Sequence, residues 1–328
     1  MRDQFGRNIE YMRVSVTDLC NLRCVYCMPD EGVTQITHDQ ILSFDEIARV
    51  CRIGTKLGIS KVKLTGGEPL VRPGIEQLAG MISQIPGIKE VTLTTNGVLL
   101  AEKLSALKAA GIRSVNISLD TMDAEQYAKL TRRDRFAQVM EGMKAAVRQG
   151  MKVKINCVAL QEVNASQWKE VAALAKQYPV DVRFIEMMPI GLGRTYPGSL
   201  QQEIQNLLEE AYGTAVLLSA EEAPRGNGPA VYWEFPGFQG KIGFISAISH
   251  KFCGDCNRIR MTAEGFLKPC LQFSTGADLR ELLRTGADDE EIQRVIERII
   301  YEKPRCHQFE KEENSSGLEQ REMSRIGG

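Results

Sequence analysis

Three cysteines stand close together in TDLCNLRCVYCMP, Thr17 to Pro29, spaced C-x3-C-x2-C as Cys20, Cys24 and Cys27. At that spacing they occupy one short loop that can wrap three corners of a single metal group. A structural zinc site usually recruits four protein ligands. An iron-sulfur cubane has four irons, so three thiolates leave one iron uncapped and able to bind something exchangeable. A second group, Cys253, Cys256 and Cys270, offers three thiols again. Reading it as zinc requires a fourth ligand from Cys306, His307 or His250, so a second open-site cluster is the simpler reading.

The surrounding chain of 328 residues is long enough for about two domains and a sizeable core. Its composition, 43% hydrophobic and 25% charged with a formal net charge of -1, is that of an ordinary globular protein. Neither a disordered polymer nor a general nucleic-acid binder is indicated, so no nucleic-acid partner is expected and any basic site must be local. The N-terminus MRDQFGRNIEYMRV lacks an apolar signal core, and no stretch approaches the roughly 20 apolar residues of a membrane span. These features predict a cytoplasmic protein with no membrane partner. In a reducing compartment the nine cysteines are expected to be ligands, reactive thiols or core residues rather than disulfides. Cys51 falls on the apolar side of FDEIARVCRIGTKLG with Ile47 and Gly54, and Cys157 shares a strand face with Val153 and Ile155, so both read as small core residues. Cys306 beside His307 receives no assignment.

The elements that must position the thiols alternate short β-rich runs with amphipathic helical stretches. The runs are YMRVSVT, KVKLT, EVTLTT, SVNISLD, KVKINCVAL and VRFIEMM. Six βα units from Met12 to Pro189 predict parallel strands with helices outside, as an incomplete TIM-like barrel or a doubly wound sheet. The barrel is preferred because special residues recur at strand ends: the three cysteines, Thr65 to Pro69 (TGGEP), Thr94 to Gly97, Ser118 with Asp120, Asn156, and Glu186 with Met188. In βα barrels the loops of separate strands converge at that edge. From about residue 190 the pattern becomes loop-rich, with AVYWEF and KIGFIS as antiparallel strands and ADLRELLRTG and DEEIQRVIERIIYEK as helices. The expected organisation is an α/β partial barrel over residues 1–190 and a smaller α+β domain over 191–328. The stretch HQFEKEENSSGLEQREMSRIGG is expected to be a polar, mobile tail.

C-x3-C-x2-C after the first strand, with an aromatic before the last cysteine, resembles the signature of the radical S-adenosylmethionine (SAM) superfamily, and TGGEP resembles its segment that receives the methionine amino group. The arrangement C-x2-C-N-R-I-R-x9-C is similar to that of the MoaA family of GTP 3',8-cyclases, as are FGRNI, MR-x-S-x-T-D, CVYCMP, RFIEMMP and the terminal IGG. The likeness runs from Phe5 to Gly328. It implies two 4Fe-4S clusters, the first held by Cys20, Cys24 and Cys27 and chelating SAM, the second held by Cys253, Cys256 and Cys270 and anchoring guanine. It further implies SAM contacts from Tyr26, mainly by its backbone, and from Gly67, Ser118 and Met188. A 5'-deoxyadenosyl radical would abstract the 3' hydrogen of GTP, and the ribose radical would attack guanine C8, as the first step of molybdenum cofactor biosynthesis. The partners implied are GTP, an electron-donating protein and a downstream cyclic pyranopterin monophosphate synthase, with a homodimer as the candidate assembly.

A triphosphate needs fixed cations, and arginine suits phosphate through its planar donor fork. Arg13, Arg258 and Arg260 fit that need, and the resemblance adds Lys63, Thr94, Lys154 and the Ile259 backbone. Strand alternation separates Lys154 and Asn156 from Val153, Ile155 and Cys157. Lys63 stands where the family pattern has arginine, which keeps the charge and loses the bidentate fork. Gly327 and Gly328 can enter a narrow space without side-chain obstruction, and the resemblance implies that this tail reaches the active site. Two other classes remain open: a radical SAM enzyme acting on a peptide or other small substrate, and a zinc-stabilised binding module.

Overall fold

The computed structural model describes residues 1–33, 36–224, 226, 228–309 and 317–327. The first part runs β1 (Tyr11–Ser15), α1 (Phe44–Lys56), β2 (Lys61–Thr65), α2 (Ile75–Ser83), β3 (Glu90–Thr95), α3 (Leu100–Ala109) and β4 (Ser114–Ser118). It continues with α4 (Ala124–Thr131), α5 (Phe136–Arg148), β5 (Lys152–Ala159), α6 (Gln161–Asn164), α7 (Trp168–Gln177) and β6 (Val180–Glu186). Helix starts are written locally. Ser43 accepts the Glu46 N–H at 3.1 Å while the Glu46 carboxylate accepts the Ser43 N–H at 2.6 Å, a capping box that contributes about 1 kcal/mol to α1.

Strands β1 to β6 pair in chain order, each parallel to the next. This is the expected run of six βα units in a sheet that does not close. The remaining elements are α8 (Gln201–Tyr212), β7 (Val216–Leu217), β8 (Val231–Glu234), β9 (Ile242–Ile245), β10 (Arg258–Met261), β11 (Phe266–Lys268), β12 (Ala277–Asp278), α9 (Leu279–Arg284), α10 (Asp289–Tyr301) and α11 (Met323–Ile326). They extend both edges of the same sheet: β9 lies parallel to β6 and β10 parallel to β1, giving the order β12-β11-β10-β1-β2-β3-β4-β5-β6-β9-β8-β7. The β8–β9 pair is antiparallel, as AVYWEF and KIGFIS predict.

Alternation explains how this sheet makes a site. Met12, Val14, Val62, Leu64, Val115, Ile117, Val153 and Ile155 belong to the buried core, and Cys51 and Cys157 join them as expected. The other face of the same strands carries polar side chains at matched heights. The register sets Arg13 beside Lys63 and Arg260, Lys63 beside Thr92, Thr94 beside Asn116, and Asn156 beside Arg183. A parallel sheet buried on both faces normally reads apolar throughout; here one buried face is polar because it encloses a binding cavity.

Candidate active site

The loop leaving β1 folds its cysteines together. Cys27 N–H and Met28 N–H both donate to Cys24 O, at 2.9 and 3.0 Å. The Cys20 sulfur accepts Leu22 N–H at 3.4 Å and Asn96 Nδ2 at 3.8 Å. Burial pushes Cys20 up to about 11 and Cys27 up to about 12, and Cys24 rises well above its ordinary value through burial and the neighbouring Cys27, Asp120 and Cys20. Three free thiols grouped in one loop fit a multi-iron group, in which each sulfur binds a different iron.

The loop after β2 clasps this loop backbone to backbone. Gly67 N–H donates to Thr17 O and Glu68 N–H to Leu19 O, both at 2.8 Å. A Cβ on Gly66 would lie 2.4 Å from Thr17 O, and one on Gly67 would lie 2.5 Å from the Asp18 and Leu19 carbonyls. Only glycine allows that approach. Glu68 accepts from Leu70 N–H, Thr95 Oγ1 and Asn96 N–H at 2.9, 2.7 and 2.6 Å, which ties the β2 and β3 loops together, while burial raises its carboxyl to about 7.

Tyr26 Oη donates to Asp120 Oδ2 at 2.6 Å, leaving the backbone of Tyr26 as its available ligand group. Asp120 also accepts Val158 N–H at 2.7 Å, and burial raises its carboxyl to about 6. Ser118, Cys24, Tyr26 and Asp120 line one small cavity. Asp18, 1% exposed, has no hydrogen-bond partner for either carboxylate oxygen among the described residues. Buried polar atoms rarely stay orphaned, and a donor-bearing or cationic ligand beside the first triad suits this one.

The second triad opens onto the barrel interior. One cavity is lined by Cys253, Cys256 and Cys270 together with Arg13, Lys63, Thr94, Met188, Arg258 and Arg260. It also takes in Arg183, Asn116 and Lys303, none of which the sequence reading singled out. The signal for Arg183 was available: Val182 and Phe184 point to the core, so the arginine between them faces the other way. Six cations line this cavity and, among the described residues, no carboxylate does. Lys63 falls well below its ordinary value through burial and then Arg183, Arg13 and Lys154, and Arg260 falls to about 9 through burial, Arg13 and Arg258. Cations that depress one another in a buried space are relieved by a bound anion.

Ile259 packs its side chain into the core beside Met12, which leaves its backbone, between Arg258 and Arg260 of the cavity wall, as the group expected to meet the nucleotide. Lys154 lies lower in the barrel, 3.3 Å from Tyr232 Oη and 3.9 Å from Asp181 Oδ2, in an open cleft that it shares with Lys61, Lys89 and Lys152. That cleft meets the main cavity at Arg183 and Gly228.

The mobile-tail expectation fails for residues 317–327. Leu318, Glu319, Ser324 and Ile326 are buried, and Ile326 packs with Ile190 and Leu271. Glu319 is held by Lys268 and by Arg321, whose Nη2 donates at 2.9 Å, and its carboxyl is drawn down to about 2 against the cost of burial. Three apolar residues scattered through a polar segment gave no periodic signal. Gly327 reaches the cavity wall: its carbonyl accepts Arg260 Nη1 at 2.8 Å, and a Cβ there would lie 3.1 Å from Ser15 Cβ. The run EKEENSS and Gly328 lie outside the described residues.

The model for the radical SAM superfamily matches residues 14–175, and that for Molybdenum Cofactor Synthesis C matches residues 180–309. The chain is 44% identical to the GTP 3',8-cyclase of Clostridium perfringens over 328 residues, covering 100% of both chains. It is 44% identical over 336 residues to the GTP 3',8-cyclase of Syntrophomonas wolfei and 42% identical over 334 residues to that of Petrotoga mobilis, again with 100% of each chain covered. Among solved structures, Streptococcus suis SuiB bound to S-adenosylmethionine matches with a TM-score of 0.62 at 16% identity, covering 86% of this chain and 66% of that one. At that identity the likeness concerns the fold.

Proposed function

This chain belongs to the GTP 3',8-cyclase family of radical SAM enzymes in molybdenum cofactor synthesis, and we infer from that membership and the cavity how its residues divide the work. With its iron-sulfur group and SAM bound, the enzyme would supply a 5'-deoxyadenosyl radical that removes the 3' hydrogen of GTP; the ribose carbon would then join guanine C8, and one further electron from the electron-donating protein with a proton at N7 would complete 3',8-cyclo-7,8-dihydro-GTP. Cys20, Cys24 and Cys27 hold the SAM-binding cluster. The Tyr26 backbone, Gly67, Ser118 and Met188 surround SAM, with Asp120 fixing the Tyr26 ring.

Cys253, Cys256 and Cys270 hold a second cluster facing the substrate. Arg13, Lys63, Thr94, Arg258 and Arg260 bind GTP, assisted by the Ile259 backbone and, from below, by Lys154. The single observation that carries this division is the cavity itself: a thiol triad at one side and six cations without a carboxylate among its described lining residues. A highly charged triphosphate neutralises such a wall, and the arginine forks grip it in pairs of hydrogen bonds.

We class the reaction among the lyases. An electron-donating protein, a downstream cyclic pyranopterin monophosphate synthase, cytoplasmic location and homodimeric assembly complete the proposal on family membership. No helix among the described residues is long and apolar enough to cross a membrane. The test is anaerobic: reduced protein is incubated with SAM, with and without GTP, and 5'-deoxyadenosine, cyclised nucleotide, iron and sulfide are measured. Two clusters per chain and 5'-deoxyadenosine that depends on GTP are expected. Zinc without labile sulfide, or SAM cleavage stimulated by a peptide and indifferent to GTP, would overturn the assignment.

A further inference from the structure

Lys303 follows α10 and is 2% exposed. Its ammonium donates to Arg258 O at 2.9 Å and to Pro269 O at 2.5 Å. Arg258 stands two residues after Cys256 and Pro269 immediately before Cys270, so one buried charge is anchored to both segments that carry the second triad, in the wall of the same cavity. Long side chains with a buried terminal charge are rare and are held by specific partners.

The turn that presents Lys303 is itself clamped. The Arg7 guanidinium, buried beside Asp3, spends its donors on five acceptors: Asp3 Oδ2 at 2.6 Å, Cys253 O at 2.7 Å, Arg305 O at 3.0 Å, Lys303 O at 3.3 Å and Pro304 O at 2.8 Å. Asp3 is fixed in turn by accepting Arg7 N–H at 2.9 Å. One guanidinium thus joins the backbone of Cys253 to that of Lys303. The chain orders a lysine against the second triad from two directions, and no carboxylate among the described cavity residues neutralises it.

We propose that Lys303, positioned by Arg7, is a fixed positive charge that sets the reduction potential of the second iron-sulfur site. This rests on the reading that Cys253, Cys256 and Cys270 hold a cluster. Cluster potentials depend on net charge and hydrogen bonding around the sulfurs, and a nearby cation favours the state that carries one more electron.

The test compares Lys303→Gln, which keeps amide donors for the two carbonyls and loses the charge, with Lys303→Arg, which keeps the charge. Both are made in full-length chain carrying Cys20→Ala, Cys24→Ala and Cys27→Ala, so that the remaining iron-sulfur signal belongs to the second site. Redox titration followed by electron paramagnetic resonance should show the glutamine variant reduced about tenfold less at a fixed potential, ~59 mV for a one-electron couple, with the arginine variant close to the parent. A glutamine variant with full iron and sulfide that titrates as the parent, or an arginine variant shifted as far as the glutamine one, overturns the inference. If the glutamine variant loses its iron, the arginine variant decides alone: the parent's potential supports the charge, and a lower one overturns it. Absence of any iron-sulfur signal with Lys303 intact instead overturns the second-cluster reading, and the inference falls with it.

Discussion

Around Cys20, Cys24 and Cys27 the charges that act on the thiols come chiefly from Glu68, Asp120 and Glu322, with Arg23 the cation near Cys20. Beside Cys256 they come from Lys303 and Arg258, and the cavity lined by Cys253, Cys256 and Cys270 carries six cations and no carboxylate among its described residues. Two triads with the same ligand number thus sit in fields of opposite sign. The difference matches the ligands assigned to them: SAM is a sulfonium cation, and GTP is a polyanion. On the proposed assignment, field sign would favour each ligand at its own triad by repulsion as well as attraction. The C-terminal segment runs between the two, with Ser324 N–H reaching the Cys27 thiol and Gly327 O accepting from Arg260.

The sharpest way to break the comparison is to remove one thiol from each side. Cys24→Ala should abolish formation of 5'-deoxyadenosine and of cyclised nucleotide together. Cys256→Ala should keep the first cluster and bind SAM while losing cyclisation and the GTP-dependent SAM cleavage, because GTP is no longer fixed where the radical forms. Chromatography of both products, with iron analysis and SAM binding, checks this. If Cys256→Ala loses the first cluster or SAM binding as completely as Cys24→Ala does, the division of labour is wrong.

Next in size is Arg260→Ala. It deletes a charge that sits in register with Arg13 on the neighbouring strand and that also holds Gly327. Hydrogen bonds to charged groups contribute about 1.5–3 kcal/mol, so GTP affinity should fall by roughly ten- to a hundredfold. SAM affinity should stay within about twofold, since roughly 0.4 kcal/mol covers a change of that size. Equilibrium binding of each ligand decides it, and an equal loss for both would show that the two fields are not separate.

Glu319→Gln should act on the docking of the C-terminal segment, with little effect on the affinity of either ligand. It removes the carboxylate shared by Lys268 and Arg321, leaving Lys268 buried without its counter-charge. Breaking one partner of a buried pair costs about 3–5 kcal/mol, here concentrated on the docking of residues 317–327. Limited proteolysis should cut the variant near its C-terminus before the barrel is touched. Unchanged cleavage kinetics would mean that the apolar contacts of Leu318 and Ile326 suffice.

Much of this arrangement was legible because it is local. The first triad is a spacing within one short loop, the second a C-x2-C pair with Cys270 beyond the β10–β11 hairpin, the six strands are periodic runs, and the inward face of β5 follows from alternation at Val153, Lys154 and Ile155. What escaped is what depends on register or on chain segments far apart in sequence. Arg260 meets Arg13 only because β10 adds to the open edge of β1, a pairing of residues some 250 positions apart that no periodicity encodes. Lys303 reads in sequence as the last residue of a helical stretch, and only the fold brings its ammonium to the carbonyls of Arg258 and Pro269. The tail read as polar because its anchors are one carboxylate and a few scattered apolar side chains.

Lys63 provides the finest test of the opposed fields, through protons. In the ligand-free cavity, burial together with Arg183, Arg13 and Lys154 holds its ammonium well below the ordinary lysine range. A triphosphate placed beside it favours the charged form and raises that value. Between the two values, binding GTP must therefore take up a proton, so affinity is full at lower pH and declines as pH rises through the free-state value, by at most about tenfold per unit for one proton. Calorimetry in two buffers of different ionisation enthalpy counts the proton directly. Lys63→Arg, which carries a guanidinium that stays protonated across that range, should lower the uptake and flatten the pH dependence. SAM binding at the first triad should take up no proton through Lys63, so the same measurement with SAM is the control. Equal uptake in the parent and Lys63→Arg would assign the proton elsewhere and remove Lys63 from the nucleotide's surroundings.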